Sequence, residues 1–379
     1  MTLKKAGLLT ILASGATSCL IYLGSKVRHG KRHLLRSLKA LRPVSDQVRQ
    51  VRRDTETGDY VLTLAKDRDF RILQLTDLHI AGSWFTHLAD RRAVQAVSRL
   101  AHQTKPDFII ITGDLTYATL QSLNTNNLGA MRAVRRMMRK LHIPWAFTYG
   151  NHDVDTLTTA GYRKLDSSFR RTDGVLHRPP IPGVSGFGNQ VIQVRNADGS
   201  LNTALVLMDS HSYIWNGLNR EYDKIRDSQV DWYEKKIRDL SSREGRTIPS
   251  LMFLHIPPAI YREGWDRYMS GDPGVSHHFG KRRESICCPE HDGKLWESIQ
   301  SLGSTRGIFC GHDHLNDFSI TCDGVRLTYG RSIDYLAYSP HHHSEYRGGT
   351  LISLKSDGSF SVFPVPLPRR SVGLGERFR

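Results

Sequence analysis

The sequence predicts a layered α/β domain, and three observations carry that prediction. Short β-branched runs alternate with longer helical patterns from about Arg53 onward. Several strand-like runs are apolar at nearly every position, as a strand covered on both faces requires. Beyond Cys310 the pattern changes to strands separated by Asp-Gly turns, at Asp323-Gly324 and Asp357-Gly358. A βαβ portion is therefore followed by a mainly β one, packed as a single layered domain.

Taken in order, Phe70–Thr76 reads as a strand, Ala89–Thr104 as a helix and Asp107–Thr112 as a strand. Leu128–Leu141 follows as a helix, Trp145–Tyr149 and Thr203–Met208 as strands, and Ser228–Leu240 as a helix. Leu251–Leu254 is a strand, Asp292–Leu302 a helix and Gly307–Cys310 a strand. The Pro- and Gly-rich stretches 178–188 and 257–283 are expected to be surface loops, and Pro364–Arg379 a loose tail. The organisation expected is a basic leader at 1–45, a catalytic body at 46–365 and a tail at 366–379.

The net charge of +16 over 379 residues resembles a nucleic-acid signature until it is located. Residues 1–45 hold no Asp or Glu but nine Lys and Arg, so the remainder carries 44 basic residues against 37 acidic. An excess of +7 on the body suits an anionic substrate and argues against a nucleic-acid partner. The five cysteines, Cys19, Cys287, Cys288, Cys310 and Cys322, are too scattered for a disulfide framework and read as reduced thiols.

Within the leader, Ala6–Gly24 is free of charge and mostly apolar, diluted by Thr10, Ser14, Thr17 and Ser18. Its length is that of a bilayer-spanning helix, about 17–25 residues. A membrane anchor is the favoured reading, beside a cleaved secretory signal or an organelle-targeting presequence. Two lysines precede this run and seven basic residues follow it, which by the positive-inside rule places an anchored body in the cytoplasm. Val27, Leu34, Leu35, Leu38 and Leu41 fall roughly on one helical face. Such a face suits an anionic membrane surface or a linker helix ending at Pro43.

Five short motifs each follow one of the strands. They are Asp77-Leu78-His79, Gly113-Asp114, Gly150-Asn151-His152-Asp153, His255 and Gly311-His312-Asp313-His314. Strand ends in an α/β sheet open into a shared crevice, so residues distant in sequence can converge there. In an extended segment residues i and i+2 share a face, which pairs Asp77 with His79 and His312 with His314. Carboxylate and amide oxygens mixed with imidazole nitrogens suit Mn, Fe or Zn. Two such ions a few ångströms apart clamp the attacking and leaving oxygens of a phosphoryl transfer, and Asp114 could bridge them. The glycines before the ligands are expected at tight turns close to metal or phosphate.

These motifs resemble the calcineurin-like metallophosphoesterase superfamily, whose pattern is D-x-H, G-D, G-N-H-[DE], H and G-H-x-H. The resemblance spans roughly residues 68–365 and implies an α/β/β/α sandwich with mixed central sheets. It implies that Asp77, His79, Asp114 and His314 hold one metal ion, and Asp114, Asn151, His255 and His312 a second. His152 would contact the phosphate and assist the leaving group, with Asp153 supporting its loop. Ser285-Ile286-Cys287-Cys288-Pro289, Leu315-Asn316-Asp317-Phe318 and Leu327-Thr328-Tyr329-Gly330-Arg331 are further similar to the purple-acid-phosphatase-like branch, with its plant type 28/29 and fungal Dcr2-type members.

Purple acid phosphatases proper have D-x-G in the first motif and an iron-binding tyrosine after G-D-x-x. Here Tyr117 stands at that place while His79 already fills the ligand position, so Tyr117 is expected to be structural. The activity implied is hydrolysis of phosphomonoesters, small or protein-borne, by water activated between two metals. A phosphodiesterase acting on cyclic nucleotides, lipids or nucleic acid, and a membrane-tethered binding protein without activity, are the rivals. Asp209 and His211 after the 203–208 strand, His277-His278, His341–His343, Arg262, Arg267 and Arg331 are weaker candidates, each read as structural or solvated.

Overall fold

The computed structural model describes residues 17–18, 32–44, 51–65, 68–155, 157–169, 174–338 and 346–367. Two mixed sheets form its centre. Across the larger run β1 (Arg52–Arg53), β2 (Tyr60–Thr63), β6 (Gln190–Arg195), β7 (Leu201–Leu207), β10 (Ser250–Phe253), β12 (Thr305–Cys310), β14 (Val325–Tyr329), β13 (Ser319–Cys322) and β11 (Val275–Phe279). The smaller has the order β16 (Phe360–Pro366), β15 (Gly348–Leu354), β3 (Phe70–Leu75), β4 (Phe108–Thr112) and β5 (Trp145–Thr148). A separate hairpin pairs β8 (Tyr213–Asn216) with β9 (Asn219–Tyr222). The helices are α1 (residues 32–39), α2 (His87–Thr104), α3 (Asn127–Leu141), α4 (Tyr162–Ser167), α5 (Asp227–Glu244), α6 (Ile260–Met269) and α7 (Leu295–Leu302).

Side-chain alternation builds four layers from these elements. Ile72, Phe108 and Ile110 point inward from the smaller sheet, meeting Leu205, Leu207, Phe253 and Phe309 from the larger in a buried slab between them. Their neighbours Leu73, Leu75, Ile109 and Ile111 face outward and pack under α2 and α3 through Val97 and Val134. On the far side Met252 and Ile308 pack under α5 and α7 through Tyr233, Ile237 and Ile299. The near-continuous apolar strands thus have both faces covered, and the architecture is the α/β/β/α sandwich expected.

Two expectations are corrected. The stretch 257–283 is not a loop, because it holds α6 and β11. The start of α6 is capped from afar: the Asp292 carboxylate accepts the backbone N–H of Ala259 and, at 3.0 Å, of Ile260, a signal absent from the local sequence. Pro364 and Pro366 are not loose but lie within β16. That strand is the edge of the smaller sheet, where a missing N–H is tolerated. Residues beyond 367 lie outside the described residues.

The described end of the leader packs on the body. Leu34 and Leu38 of α1 are buried in the cluster that contains Ile80 and Met131, and the Val44 N–H donates to the Leu141 carbonyl at 3.0 Å. Leu35 is 41% exposed, and Val27 lies outside the described residues. Leu34 and Leu38 of this face are therefore covered by protein. Ala6–Gly24 lies outside the described residues apart from Thr17 and Ser18, and no described helix is long and apolar enough to cross a membrane.

Candidate metal centre

All five motifs emerge from the C-terminal ends of strands, three from the smaller sheet (β3, β4, β5) and two from the larger (β10, β12). The crevice therefore lies where the ends of two sheets meet. Backbone hydrogen bonds lock the loops together. Asp77 N–H donates to the Gly113 carbonyl at 3.2 Å, His79 N–H to the Asp114 carbonyl at 3.1 Å, and Gly311 N–H to the His255 carbonyl at 3.0 Å. Asp77, His79, Asp114 and His312 all adopt left-handed backbone, with φ of 53°, 49°, 49° and 78°. For a residue with a Cβ that costs on the order of 1–3 kcal/mol, and here it turns each side chain out of its strand line into the crevice.

The glycines serve a different close approach from the one expected. A Cβ on Gly113 would sit 2.4 Å from the His255 ring, one on Gly150 2.2 Å from Asp114 Oδ1, and one on Gly311 1.8 Å from Thr76 Oγ1. The space is filled by protein, two of the three neighbours being proposed ligands. Only Gly113 also has positive φ, at 83°.

The seven sequence-predicted ligands come together in one buried cluster. Ligand atoms of Asp77, His79 and His314 lie within 4.8 Å of one another, as do those of Asp77, Asp114 and His255. Asp114 Oδ2 stands between the two groups, 3.1 Å from His79 Nε2 and 3.5 Å from His255 Nε2. The His255 and His312 rings are 5.1 Å apart. Asn151 Oδ1 is 3.0 Å from His255 Nε2, while its Nδ2 donates to Tyr213 Oη at 3.1 Å. That second bond turns the amide oxygen toward the cluster.

Imidazole tautomers are set in the same way. His255 Nδ1 donates to the Thr112 carbonyl at 2.9 Å, so in the neutral ring Nε2 is the nitrogen that carries the lone pair. Both oxygens of Asp77 and Nε2 of His312 are buried with no hydrogen-bond partner in the fold. Unpaired buried acceptors are costly, and a cation is the partner that this donor set fits.

Sequence reasoning missed Asp334. Its Oδ1 is hydrogen-bonded to His79 Nδ1 at 2.9 Å, and its Oδ2 lies within ion-pair range of His314 Nδ1, at 3.3 Å, so one carboxylate faces both histidines of the first group. Asp334 is in turn held by the backbone N–H groups of Leu336 and Ala337 at 2.8 Å and of Tyr338 at 2.9 Å. The Ser332 bridge to Thr76 carries this segment to the end of β3. Asp334→Asn should weaken metal affinity by about 10–100-fold without unfolding the chain, measured by competition with a chromophoric chelator. Wild-type affinity in that variant would remove the assignment.

Electrostatics follow from this crowding. Burial opposes charge on His79, but its bonds to Asp114 and Asp334 outweigh that and hold it well above the usual imidazole range. Burial likewise opposes the cation of His255, yet Asp114 raises it to about 9. For His312, burial and the neighbouring His255 act together and push it well down. Burial tends to raise Asp114, but His255 and His152 hold it well below the usual carboxylate range.

His152 stands at the mouth. Its side chain is 27% exposed, whereas those of His79 and His255 are fully buried. Its Nδ1 is 3.0 Å from Asp155 Oδ2, and its backbone N–H donates to Asp114 Oδ1 at 2.8 Å. Asp153, by contrast, is fully buried and accepts the N–H groups of Gly150 and Thr116, each at 2.9 Å. Burial and the nearby Asp114 push it up to about 7, and it ties the β4 and β5 loops together, out of contact with the crevice.

Tyr117 stacks obliquely on His79 with centroids 4.9 Å apart, and its hydroxyl bonds to Gln121. Burial, then Asp155, raises it above the ordinary phenol range, which disfavours a tyrosinate. Iron-loaded protein should accordingly show no intense visible tyrosinate band, and Tyr117→Phe should leave the spectrum unchanged.

The weaker candidates are engaged elsewhere. Asp209 accepts the N–H groups of Phe187 and His211, and His211 Nε2 pairs with Gln229 at 2.8 Å. His277 pairs with the Gly280 carbonyl, and His278 with Thr321. Arg262 donates to the Glu290 carbonyl, Arg267 pairs with Asp272 and Asp323, and Arg331 pairs with Asp317. His341–His343 lie outside the described residues. Cys287, Cys288, Cys310 and Cys322 are free thiols. Cys287 forms a third potential ligand group with His312 and Asp313, and Tyr222 packs edge-on against His312 at 4.8 Å.

Fold and site together define a metallophosphoesterase. The family model described as calcineurin-like phosphoesterase matches residues 70–316, and the chain belongs to that family. Among its relatives, "Probable inactive purple acid phosphatase 14" of Arabidopsis thaliana is 27% identical over 318 residues, 74% of each chain. "Phosphatase DCR2" of Saccharomyces cerevisiae is 26% identical over 301 residues, covering 73% of this chain and 50% of the yeast protein. Among solved structures, a dimetal phosphatase from Danio rerio is 13% identical, covers 79% of this chain and 99% of its own, and has a TM-score of 0.49. The purple-acid-phosphatase-like resemblance is thus borne out at the level of distant homology.

Proposed function

We propose that the chain is a phosphatase that hydrolyses phosphomonoesters at a pair of divalent or trivalent metal ions. The observation that carries this reading is the convergence of seven ligand-type side chains from five strand ends, with both Asp77 oxygens and His312 Nε2 buried without a hydrogen bond. Asp77, His79, Asp114 and His314 would hold one ion, and Asp114, Asn151, His255 and His312 the other. Such a pair supplies Lewis acidity toward the phosphate and an acidified water as nucleophile.

The chain's own contribution is orientation and proton handling. Asp334 and the Thr112 carbonyl present imidazole lone pairs inward, and Tyr213 presents the Asn151 oxygen. His152 is steadied at Nδ1 by Asp155, and in its imidazolium form its Nε2 would donate a hydrogen bond to a phosphate oxygen or a proton to the departing ester oxygen. The word "inactive" in the Arabidopsis name belongs to that relative. In this chain every position of the ligand pattern is filled, which supports activity.

The test pairs metal analysis with turnover. Purified chain reconstituted with Mn, Fe or Zn should hydrolyse an aryl phosphomonoester faster than the corresponding bis-aryl diester, and a chelator should abolish both rates. A faster diester rate would make it a phosphodiesterase. Near-stoichiometric metal with no turnover on either ester would make it a binding protein.

A further inference from the structure

The β8–β9 hairpin presents one of its two faces to the metal centre. In its antiparallel register Tyr213 stands opposite Tyr222, Ile214 opposite Glu221, and Trp215 opposite Arg220. Side chains alternate along a strand, so Tyr213, Trp215, Arg220 and Tyr222 share one face, and Ile214, Asn216 and Glu221 the other. Contacts agree with that division. The Tyr213 and Tyr222 rings lie 5.2 Å apart, and the Arg220 guanidinium sits 3.4 Å over the Tyr213 ring. On the opposite face Asn216 donates to Glu221 at 3.1 Å.

The face that holds Tyr213 is the one turned inward. Tyr213 Oη accepts from Asn151 at 3.1 Å, and the Tyr222 ring packs edge-on against His312 at 4.8 Å. Asn151 and His312 both belong to the second ligand group, so the hairpin lies over that group. The Trp215–Arg220 pair continues the same face toward the hairpin tip. Trp215 is 72% exposed and Arg220 is exposed beside it, so this end of the face is open.

Arg220 differs from the arginines weighed above. Arg262 is engaged by a carbonyl, and Arg267 and Arg331 by carboxylates. Arg220 has no carboxylate partner among the described residues, and its contact is with the Tyr213 ring. The adjacent Glu221 faces away and bonds to Asn216. A guanidinium placed over an aromatic ring is held through its charge, while its N–H groups stay free to bond oxygens.

We propose that Arg220 is a specificity-determining residue, and that the hairpin face it shares with Tyr213 receives the leaving group of the substrate. The phosphomonoesters selected carry a second anionic group on that leaving group. One tyrosine ring separates the guanidinium from the Asn151 amide. An anion standing that far beyond the reacting phosphate therefore meets a cation that no carboxylate of the described fold neutralises. The substrate class rests on the phosphatase reading above, whereas the placing of Arg220 does not.

The metal-loaded full chain is assayed on ω-carboxyalkyl phosphates of increasing chain length, each beside its carboxamide. Wild type should prefer the acid by about fivefold in kcat/KM at an intermediate length, the scale of an exposed ion pair. The difference should lie in KM and shrink as salt is raised. Arg220→Gln should erase it by raising KM for the acid, and Arg220→Lys should keep part of it. Alkane bisphosphates of the same lengths show whether a carboxylate or a second phosphate depends more on Arg220. No preference at any length, or a preference that survives Arg220→Gln, would overturn the proposal. So would equal loss on acid and amide, which marks a guanidinium that only supports Tyr213. Calorimetric binding of the non-hydrolysable ω-carboxyalkyl phosphonates and their amides separates this proposal from the phosphatase reading. An Arg220-dependent preference for the acid in binding, with no turnover of any ester, would end the phosphatase reading and keep Arg220 as an anion-binding residue. Equal binding of acid and amide would remove Arg220 from that role, with or without turnover.

Discussion

Asp114→Asn should lower the metal content of the purified chain from near two ions to below one, and reduce turnover by about a thousandfold or more. Asp114 Oδ2 approaches an imidazole of both ligand groups, at 3.1 Å from His79 and 3.5 Å from His255. The substitution keeps the shape, so the His152 N–H still finds an oxygen to donate to and the loop stays closed. It removes one negative charge and turns one ligand oxygen into an NH₂ group that cannot coordinate. Metal analysis by mass spectrometry and steady-state rates read the two effects separately. Retention of two ions with turnover within about tenfold of wild type would show that Asp114 does not bridge.

His152→Ala should do the converse, sparing the ions while lowering kcat by about 10²–10⁴-fold. The bond that His152 makes to Asp114 comes from its backbone, so alanine preserves it and the ligand cage is undisturbed. What disappears is the half-buried imidazole, with its bond to Asp155 and its contacts to Tyr117 and His79. If the ring acts on phosphate or leaving group as proposed, the loss falls on kcat and deepens with poorer leaving groups. Turnover equal to wild type, with metals in place, would take His152 out of the reaction.

Much of this molecule is legible locally. The strands that carry the ligands are covered on both faces, so each reads as a short apolar run, and each motif sits at the run's end. β3, β4, β5, β10 and β12 fall within two residues of the bounds expected from sequence, because burial on both faces leaves no polar position to blur them. Features that depend on a distant partner are not legible. Nothing near Ala259 announces a helix, since its cap is the carboxylate of Asp292. Asp334 belongs to no motif and lies 255 residues from the histidine that it orients. Its only sequence signal is an acidic residue soon after the Leu327–Arg331 match. Tyr213 is likewise anonymous until the β8–β9 hairpin brings it to Asn151.

The sequence by itself determined the kind of chemistry this protein is built for, because ligand type and order are properties of short segments that end strands. Tertiary structure alone decided which atoms are left bare and which are satisfied. It bent Asp77, His79, Asp114 and His312 through left-handed backbone, buried the Asp77 oxygens without a hydrogen bond and bound Asp153 to loop amides. It also packed Leu34 and Leu38 of α1 into the cluster that contains Ile80 and Met131. Those outcomes depend on contacts between residues tens to hundreds of positions apart, and no local pattern of side chains encodes the meeting of two sheet ends.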